Sequence, residues 1–298
     1  MPITKPIRDR IQMLKTEYDK LKQGKESLLE LIDEVEISES VYNSNAIENS
    51  TLTLKETEKI LLEMEVSREV SVREVYEAKN LSRVITYIKN KTKETELNRE
   101  LVLLLHEMLI GGINDEFAGR FRKIGEYVRV GKHIAPAPEE IEKMFATILG
   151  EYMNNISRKY FADKIAKFHL DFETIHPFCD GNGRIGRTLI NYQLLRLDLP
   201  MIIIRDKEKA RYYKAFDEYR QQNDTRTMEK VLTLALTESL HKRITYLKGV
   251  QIMRLSDFAK DSLQSFPALL NAARRQNIPA FREKGVWKIG IDFEKNLK

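Results

Sequence analysis

Residues 176–187 read His-Pro-Phe-Cys-Asp-Gly-Asn-Gly-Arg-Ile-Gly-Arg and gather an imidazole, a carboxylate, two glycines around an amide, and two guanidinium groups. His176 can take a proton near neutral pH without assistance. Asp180 offers hard oxygen to Mg²⁺, an ion usually held by one or two carboxylates plus substrate phosphates. Gly181 and Gly183 let backbone N–H groups approach an anion with no Cβ in the way. Arg184 and Arg187 carry permanent charge on forked donors that suit phosphate. This inventory fits a site for a metal–polyphosphate with a base beside it. The alternative is a turn between helices in which Gly-Asn-Gly only punctuates and the arginines are solvated. A second polar run, Ser44-Asn45-Ala46-Ile47-Glu48-Asn49, reads by itself as no more than a helix cap at Asn43 or Ser44.

The flanks of the first segment favour a site. Phe161, Ile165, Phe168, Phe172 and Ile175 recur at helical spacing before it, and Ile185, Leu189, Tyr192 and Leu195 after it. A Gly-rich loop that opens a helix aims free N–H groups and the positive dipole end at its contents. Arg184 and Arg187, three apart in the first turn, can face one anion. Helical periods also run through Leu52–Glu65, Val70–Ile88 and Leu97–Leu109, until Gly111-Gly112 interrupts and a hairpin precedes Pro138. Ile7, Ile11, Leu14, Tyr18, Leu21, Leu28, Ile32 and Val35 follow a 4-3 spacing. It suits one long helix, laid on its own domain or paired in a homodimer. His106, on an apolar helix, reads as a satisfied core histidine. His169 lies seven residues before His176 on the same face, but a zinc site lacks a third ligand at useful spacing. Cys179 is either a reactive thiol or a small buried filler.

At this point the chain resembles a known family. His-x-Phe-x-Asp/Glu-Gly-Asn-Gly-Arg-x-x-Arg is the pattern of Fic-domain proteins, matched here without substitution, and the resemblance extends over about residues 40–225. Gly119-Arg120-Phe121-Arg122, then Val128 to Ile134 and Pro136-Ala137-Pro138, look like the family's flap hairpin and its exit. Arg211-Tyr212-Tyr213-Lys214-Ala215 looks like the stretch that closes over the base. The resemblance implies a mainly α fold: a Fic-type helical core with a short β-hairpin flap.

It also implies an activity, transfer of AMP from Mg-ATP to a Tyr, Thr or Ser hydroxyl of a target protein or of the chain itself. His176 would be the base and Asp180 the Mg²⁺ ligand. Gly181, Asn182, Gly183, Arg184, Ile185, Gly186 and Arg187 would surround the phosphates. Val130, Gly131, Lys132 and His133 would come from the flap and Tyr212 from the base side, with a plain hairpin tip as the other account of His133. Ser44 to Asn49 resembles the family's inhibitory helix, in which Glu48 would pair with Arg187, bidentately, and exclude the γ-phosphate. Family members that remove AMP use the same glutamate, so a deAMPylase role for Glu48 stays open. Others transfer phosphocholine, UMP or phosphate; the kinase-like branch has Lys where this chain has Gly183. Arg220 stands where a relative places asparagine near adenine.

Composition bounds the rest. The 298 residues are 42% hydrophobic and 32% charged, enough for one core plus a smaller module. No apolar run of membrane-spanning length is present and the N-terminus lacks an apolar signal region, so the expectation is a cytoplasmic protein with no membrane partner. The single cysteine agrees with a reducing compartment. Residues 250–298 hold nine Lys/Arg (254, 260, 274, 275, 282, 284, 288, 295, 298) against five acids, so +4 of the net +5 lies there. A helix from Ser256 to Ser262, a second from Phe266 to Arg275, and a hairpin turning at Lys284-Gly285 resemble a winged helix–turn–helix. It would bind protein, or DNA with Arg274 and Arg275 on phosphates. The division read from the sequence is 1–95, an N-terminal helical region with the inhibitory segment; 96–225, the core; 226–249, a connecting helix; and 250–298, a winged-helix-like module.

Overall fold

The computed structural model describes residues 4–66, 69–154, 160–262 and 264–291; Lys295 and Lys298 of the basic tail lie outside the described residues. In chain order the helices begin with α1 (Lys5–Leu21), α2 (Glu26–Ile47), α3 (Leu54–Glu58, continued by a π turn), α4 (Val72–Lys91) and α5 (Arg99–Ile110). The hairpin β1 (Arg129–Val130) and β2 (His133–Ile134) follows, then α6 (Ile141–Asn154), α7 (Phe161–Ile175), α8 (Asn182–Arg196), α9 (Lys209–Gln222) and α10 (Arg226–Lys248). The last elements are β3 (Ile252–Arg254), α11 (Leu255–Asp261), α12 (Phe266–Arg274), β4 (Ala280–Glu283) and β5 (Val286–Gly290).

The fold is mainly helical with small sheets, and it forms two compact units, Ile37–Val231, and Ile3–Glu36 with Leu232–Lys298. The cuts fall inside α2 and α10, each of which gives one end to each unit, rather than at residues 95 and 225. The 4-3 apolar run does not form one long helix: α1 stops at Leu21, and Gly24, with φ +70, turns the chain before α2 begins. A left-handed glycine ends a helix whatever the apolar spacing around it.

The first unit holds the site. Local chemistry sets its helix starts: Thr53 and Glu56 form a capping box on α3, and Asn98 accepts from the Leu101 N–H at the head of α5. Helix α7 packs on α6, α8 and α9, and α4 packs on α5 and α8. Their shared core includes Val84, Ile88, Leu105, Phe168, Phe172, Phe178, Ile185 and Leu189. Fully burying each such side chain contributes on the order of 1.5–3 kcal/mol, which makes the α7–loop–α8 corner a rigid platform.

The second unit contains α1, a three-stranded antiparallel sheet in the order β3-β5-β4, and the pair α11–α12. Lys284 (φ +49) and Gly285 (φ +76) make the hairpin turn where the sequence placed it. Strand β3, three residues long, was not legible beforehand. Leu255, Phe258, Leu269, Ala273, Ile278, Ala280 and Ile289 form its core.

A candidate nucleotide-transfer site between two helix ends

Helix α7 ends on His176 itself, which is left-handed (φ +49, ψ +62), and α8 starts after Gly181 (φ +80). The five intervening residues, 177–181, are held from several sides. Phe178 is fully buried, stacked on His106 with centroids 3.7 Å apart. The Asn182 carboxamide closes the loop on the Phe178 backbone, accepting from its N–H at 2.9 Å and donating to its carbonyl at 2.8 Å. His106 Nδ1 accepts from the Gly119 N–H (3.1 Å), so its Nε2–H donates to the Asp180 carbonyl (3.0 Å). Burial pushes His106 down to about 4, which keeps that neutral tautomer at physiological pH. The expected core histidine is therefore also a brace for the loop.

Arg122, noted in the sequence only as part of the flap resemblance, has a role at this turn that the sequence reading did not assign. Although charged, it is buried, and it donates to the carbonyls of His176 (2.9 Å), Glu126 (2.9 Å) and Pro136 (2.9 Å). One guanidinium thus ties the base-bearing turn to the exit of the hairpin. Nothing in its spacing distinguishes it from a solvated arginine.

Asp180 faces a cleft of about 690 Å³ lined by Glu48, Arg73, Glu77, Val128 to Gly131, His176 and Asp180 to Arg184. Its carboxylate is engaged by Arg73 of α4 and, at 3.1 Å, by Arg184; Arg73 also donates to Glu77 at 3.0 Å, and Glu77 lies 3.2 Å from Arg184. Burial alone would raise the Asp180 pKa, but the charges of Arg184 and Arg73 hold it below the ordinary value. Arg73 and Glu77 gave no signal in the sequence, being an ordinary i,i+4 pair on a polar helix face.

Arg187 is buried, and its partners come from the end of α2. Its Nε donates to Ser44 Oγ (2.9 Å), and Nη2 donates to the Ser44 carbonyl (2.8 Å) and to Glu48 Oε1 (2.8 Å). The pair with Glu48 is a single contact rather than the bidentate fork expected, because Ser44 takes the Nε edge; Nη1 has no hydrogen-bond partner. Glu48 stands just past the last turn of α2, where left-handed Asn49 (φ +67) reverses the chain. Gly183 makes room for it: a Cβ there would sit 2.1 Å from Glu48 Oε1 and 3.0 Å from Arg187 Nη1.

Tyr212, expected at the nucleotide, is buried behind Arg187 instead, its ring centre 5.9 Å from the guanidinium carbon and its hydroxyl 2.8 Å from His169 Nε2. It supports the arginine and does not line the cleft. Ile185 and Gly186 are likewise buried in the first turn of α8. In the hairpin, Val130 pairs with His133 across a turn at left-handed Gly131 (φ +58). Val130 and Gly131 reach the cleft, Lys132 is exposed at the tip, and His133 donates from Nε2 to the Thr174 carbonyl (2.8 Å), pinning the hairpin to α7. Arg220 donates to the Glu173 carbonyl at 3.3 Å. The Cys179 thiol is pushed up to about 11, first by burial and then by Glu126, so it stays protonated and unreactive at neutral pH.

Residues 96–194 match the model of the Fic/DOC family. A protein adenylyltransferase Fic from Nematostella vectensis is 30% identical over 177 residues, 58% of this chain and 41% of that protein. One from Drosophila erecta is 29% identical over 258 residues, 82% of this chain and 50% of that protein. The chain thus spans half or less of the length of these curated relatives. Among solved structures, a Fic domain containing signaling protein from Bacteroides thetaiotaomicron superposes with a TM-score of 0.74 at 25% identity, covering 80% of this chain and 97% of that one.

Proposed function

The chain belongs to the Fic/DOC family, and from that premise we propose that it is a protein adenylyltransferase held back by its own Glu48. AMP would pass from Mg-ATP to a Tyr, Thr or Ser hydroxyl of a target protein or of the chain itself. The observation that carries the reading is the contact of buried Arg187 with Glu48, a residue that lines the same cleft as His176 and Asp180.

The chain's own groups divide the work. The backbone N–H groups opening α8 at Asn182 and Gly183 are directed at the α- and β-phosphates. Arg184 and Arg187 hold the β- and γ-phosphates once Glu48 has moved, and the unpartnered Nη1 of Arg187 is a donor already in waiting. Asp180 suits Mg²⁺: its carboxylate lines the cleft beside the phosphate-facing turn, and hard oxygen is the donor that ion requires. A bound Mg²⁺ would offset charge developing on the phosphate oxygens. His176 takes the proton of the attacking hydroxyl as oxygen bonds to the α-phosphorus and pyrophosphate leaves. The edge of β1 offers backbone groups to an extended target segment. With Glu48 on Arg187 the triphosphate is misplaced, and misplacement is sufficient to silence a reaction that depends on positioning.

The test is labelling with ATP carrying its tracer on the α-phosphate. His176→Ala should abolish transfer to the chain or its target, and Glu48→Gly should raise it at least roughly tenfold. Labelling indifferent to both substitutions would overturn the reading. AMP release from labelled protein that requires Glu48 would add the hydrolytic role.

We read residues 252–290 as a winged-helix-like module that binds protein in preference to DNA. Support comes from its cations: Arg282 is paired with Glu238 (2.6 Å) and Lys288 with Glu283, which removes two wing charges from phosphate recognition. A salt-dependent shift of duplex DNA by the full chain would reverse the preference.

A further inference from the structure

His176 presents one ring nitrogen to its neighbours in a way the reaction alone does not explain. Its Nδ1 is buried without a hydrogen-bond partner, 3.6 Å from Oε2 of Glu173. Glu173 lies one helical turn earlier on α7, is 6% exposed, and its Oε1 is also buried without a hydrogen bond. Burying a carboxylate is costly unless it is paired, so two unpaired groups side by side call for a joint explanation. The packing is built for this acid. Gly186 carries no side chain because a Cβ there would fall 2.5 Å from Glu173 Oε1 and 2.8 Å from His169 Cε1. His169, itself bonded to the Tyr212 hydroxyl, seals the far side.

We propose that Glu173 is the positioning residue of His176: its carboxylate takes the Nδ1–H, leaving Nε2 as the basic nitrogen toward the cleft. The inference rests on His176 being the base. When Nε2 accepts the hydroxyl proton, the oxygen–phosphorus bond forms and the bond to the pyrophosphate oxygen breaks. Glu173 keeps its charge throughout and stabilises the imidazolium without taking a proton. The 3.6 Å separation is of the kind that tightens when substrate fills a site. Glu173 remains ionised in its pocket: burial would raise its pKa, but the Nδ1–H of His176 and the charge of Arg187 hold it below the ordinary value. The other titratable groups facing the pair are Arg220, Tyr212 and Tyr213 of α9 and His133 of β2. The sequence contains this arrangement only as a Glu three residues before a His, a spacing common on any helix.

The experiment is imidazole NMR on the full ¹⁵N-histidine-labelled chain without nucleotide, with His176→Ala assigning the resonances. Wild type should show His176 as the Nδ1–H tautomer. Glu173→Gln should turn that single form into a mixture of the two tautomers. Transfer, measured in a Glu48→Gly background, should slow with it, in kcat more than in KM. If Glu173→Gln fails to fold, Glu173→Asp, which retracts the carboxylate by one methylene, should mix the tautomers to a smaller extent. An unchanged tautomer in the folded variant overturns the proposal. Because the NMR needs no transfer, absent AMP transfer with the Nδ1–H signature intact would sink the activity and leave the pairing standing.

Discussion

The carboxylate of Glu48 reaches Nη2 of Arg187 at 2.8 Å through a notch that exists because residue 183 has no Cβ. The contact joins the end of α2 to the second turn of α8, from positions 139 apart in the chain. Under the proposed function its consequence would be competition: the guanidinium proposed to hold the terminal phosphate is already in contact with Glu48, an acid whose side chain is 38% exposed.

Gly183→Ala and Glu48→Gly should therefore be non-additive. An alanine inside a helix normally stabilises by about 0.5–1 kcal/mol over glycine. In the wild-type background the new Cβ meets Glu48 Oε1 at 2.1 Å, so the chain should lose stability. In Glu48→Gly that obstacle is gone, and the same substitution should be neutral or stabilising. Thermal melts of the four variants measure the coupling; additive shifts would count against the notch.

Gly186→Ala has no such escape. The atoms it meets, Glu173 Oε1 at 2.5 Å and His169 Cε1 at 2.8 Å, belong to side chains buried on every side. A loss of roughly 1–3 kcal/mol is expected from overpacking. Denaturant titration reads it directly.

Arg73 covers the carboxylate of Asp180, and Arg73→Gln should uncover it. Calorimetry should then show severalfold tighter Mg-ATP binding, most clearly with Glu48→Gly. Arg73 is 55% exposed, so stability should change by less than about 1 kcal/mol. Weaker binding would mean that Arg73 contacts phosphate itself.

Acid should destabilise the fold through its histidines. Burial pushes His106 and His169 down to about 4, so between that value and the ordinary 6.5 the unfolded chain binds protons that the folded chain does not. Stability is complete above 6.5 and falls as pH drops toward 4, at about 1.4 kcal/mol per pH unit for each histidine. Comparing unfolding at pH 7 and pH 5 tests the slope, and His169→Gln should lessen it.

The sequence by itself determined which chemical groups residues 176–187 bring together and the helices on either side, because those depend on residue type, on 3.6-residue periodicity and on glycine at the loop. It determined the pairing partner of Arg187 too, through the likeness of Ser44 to Asn49 to a known inhibitory segment. Only the tertiary structure decided the rest. Arg122, Arg73 and Glu173 each sit at unremarkable local positions, and their parts come from what distant helices bring within a few ångströms. Tyr212 shows the same limit in reverse: the resemblance of its segment implied a nucleotide contact, while packing places its ring behind Arg187. The apolar run of the first 35 residues could not report its own break either, since a single left-handed glycine at position 24 outweighs the periodicity around it. Local composition fixes which groups a site contains; burial and approach distances fix which of them can touch.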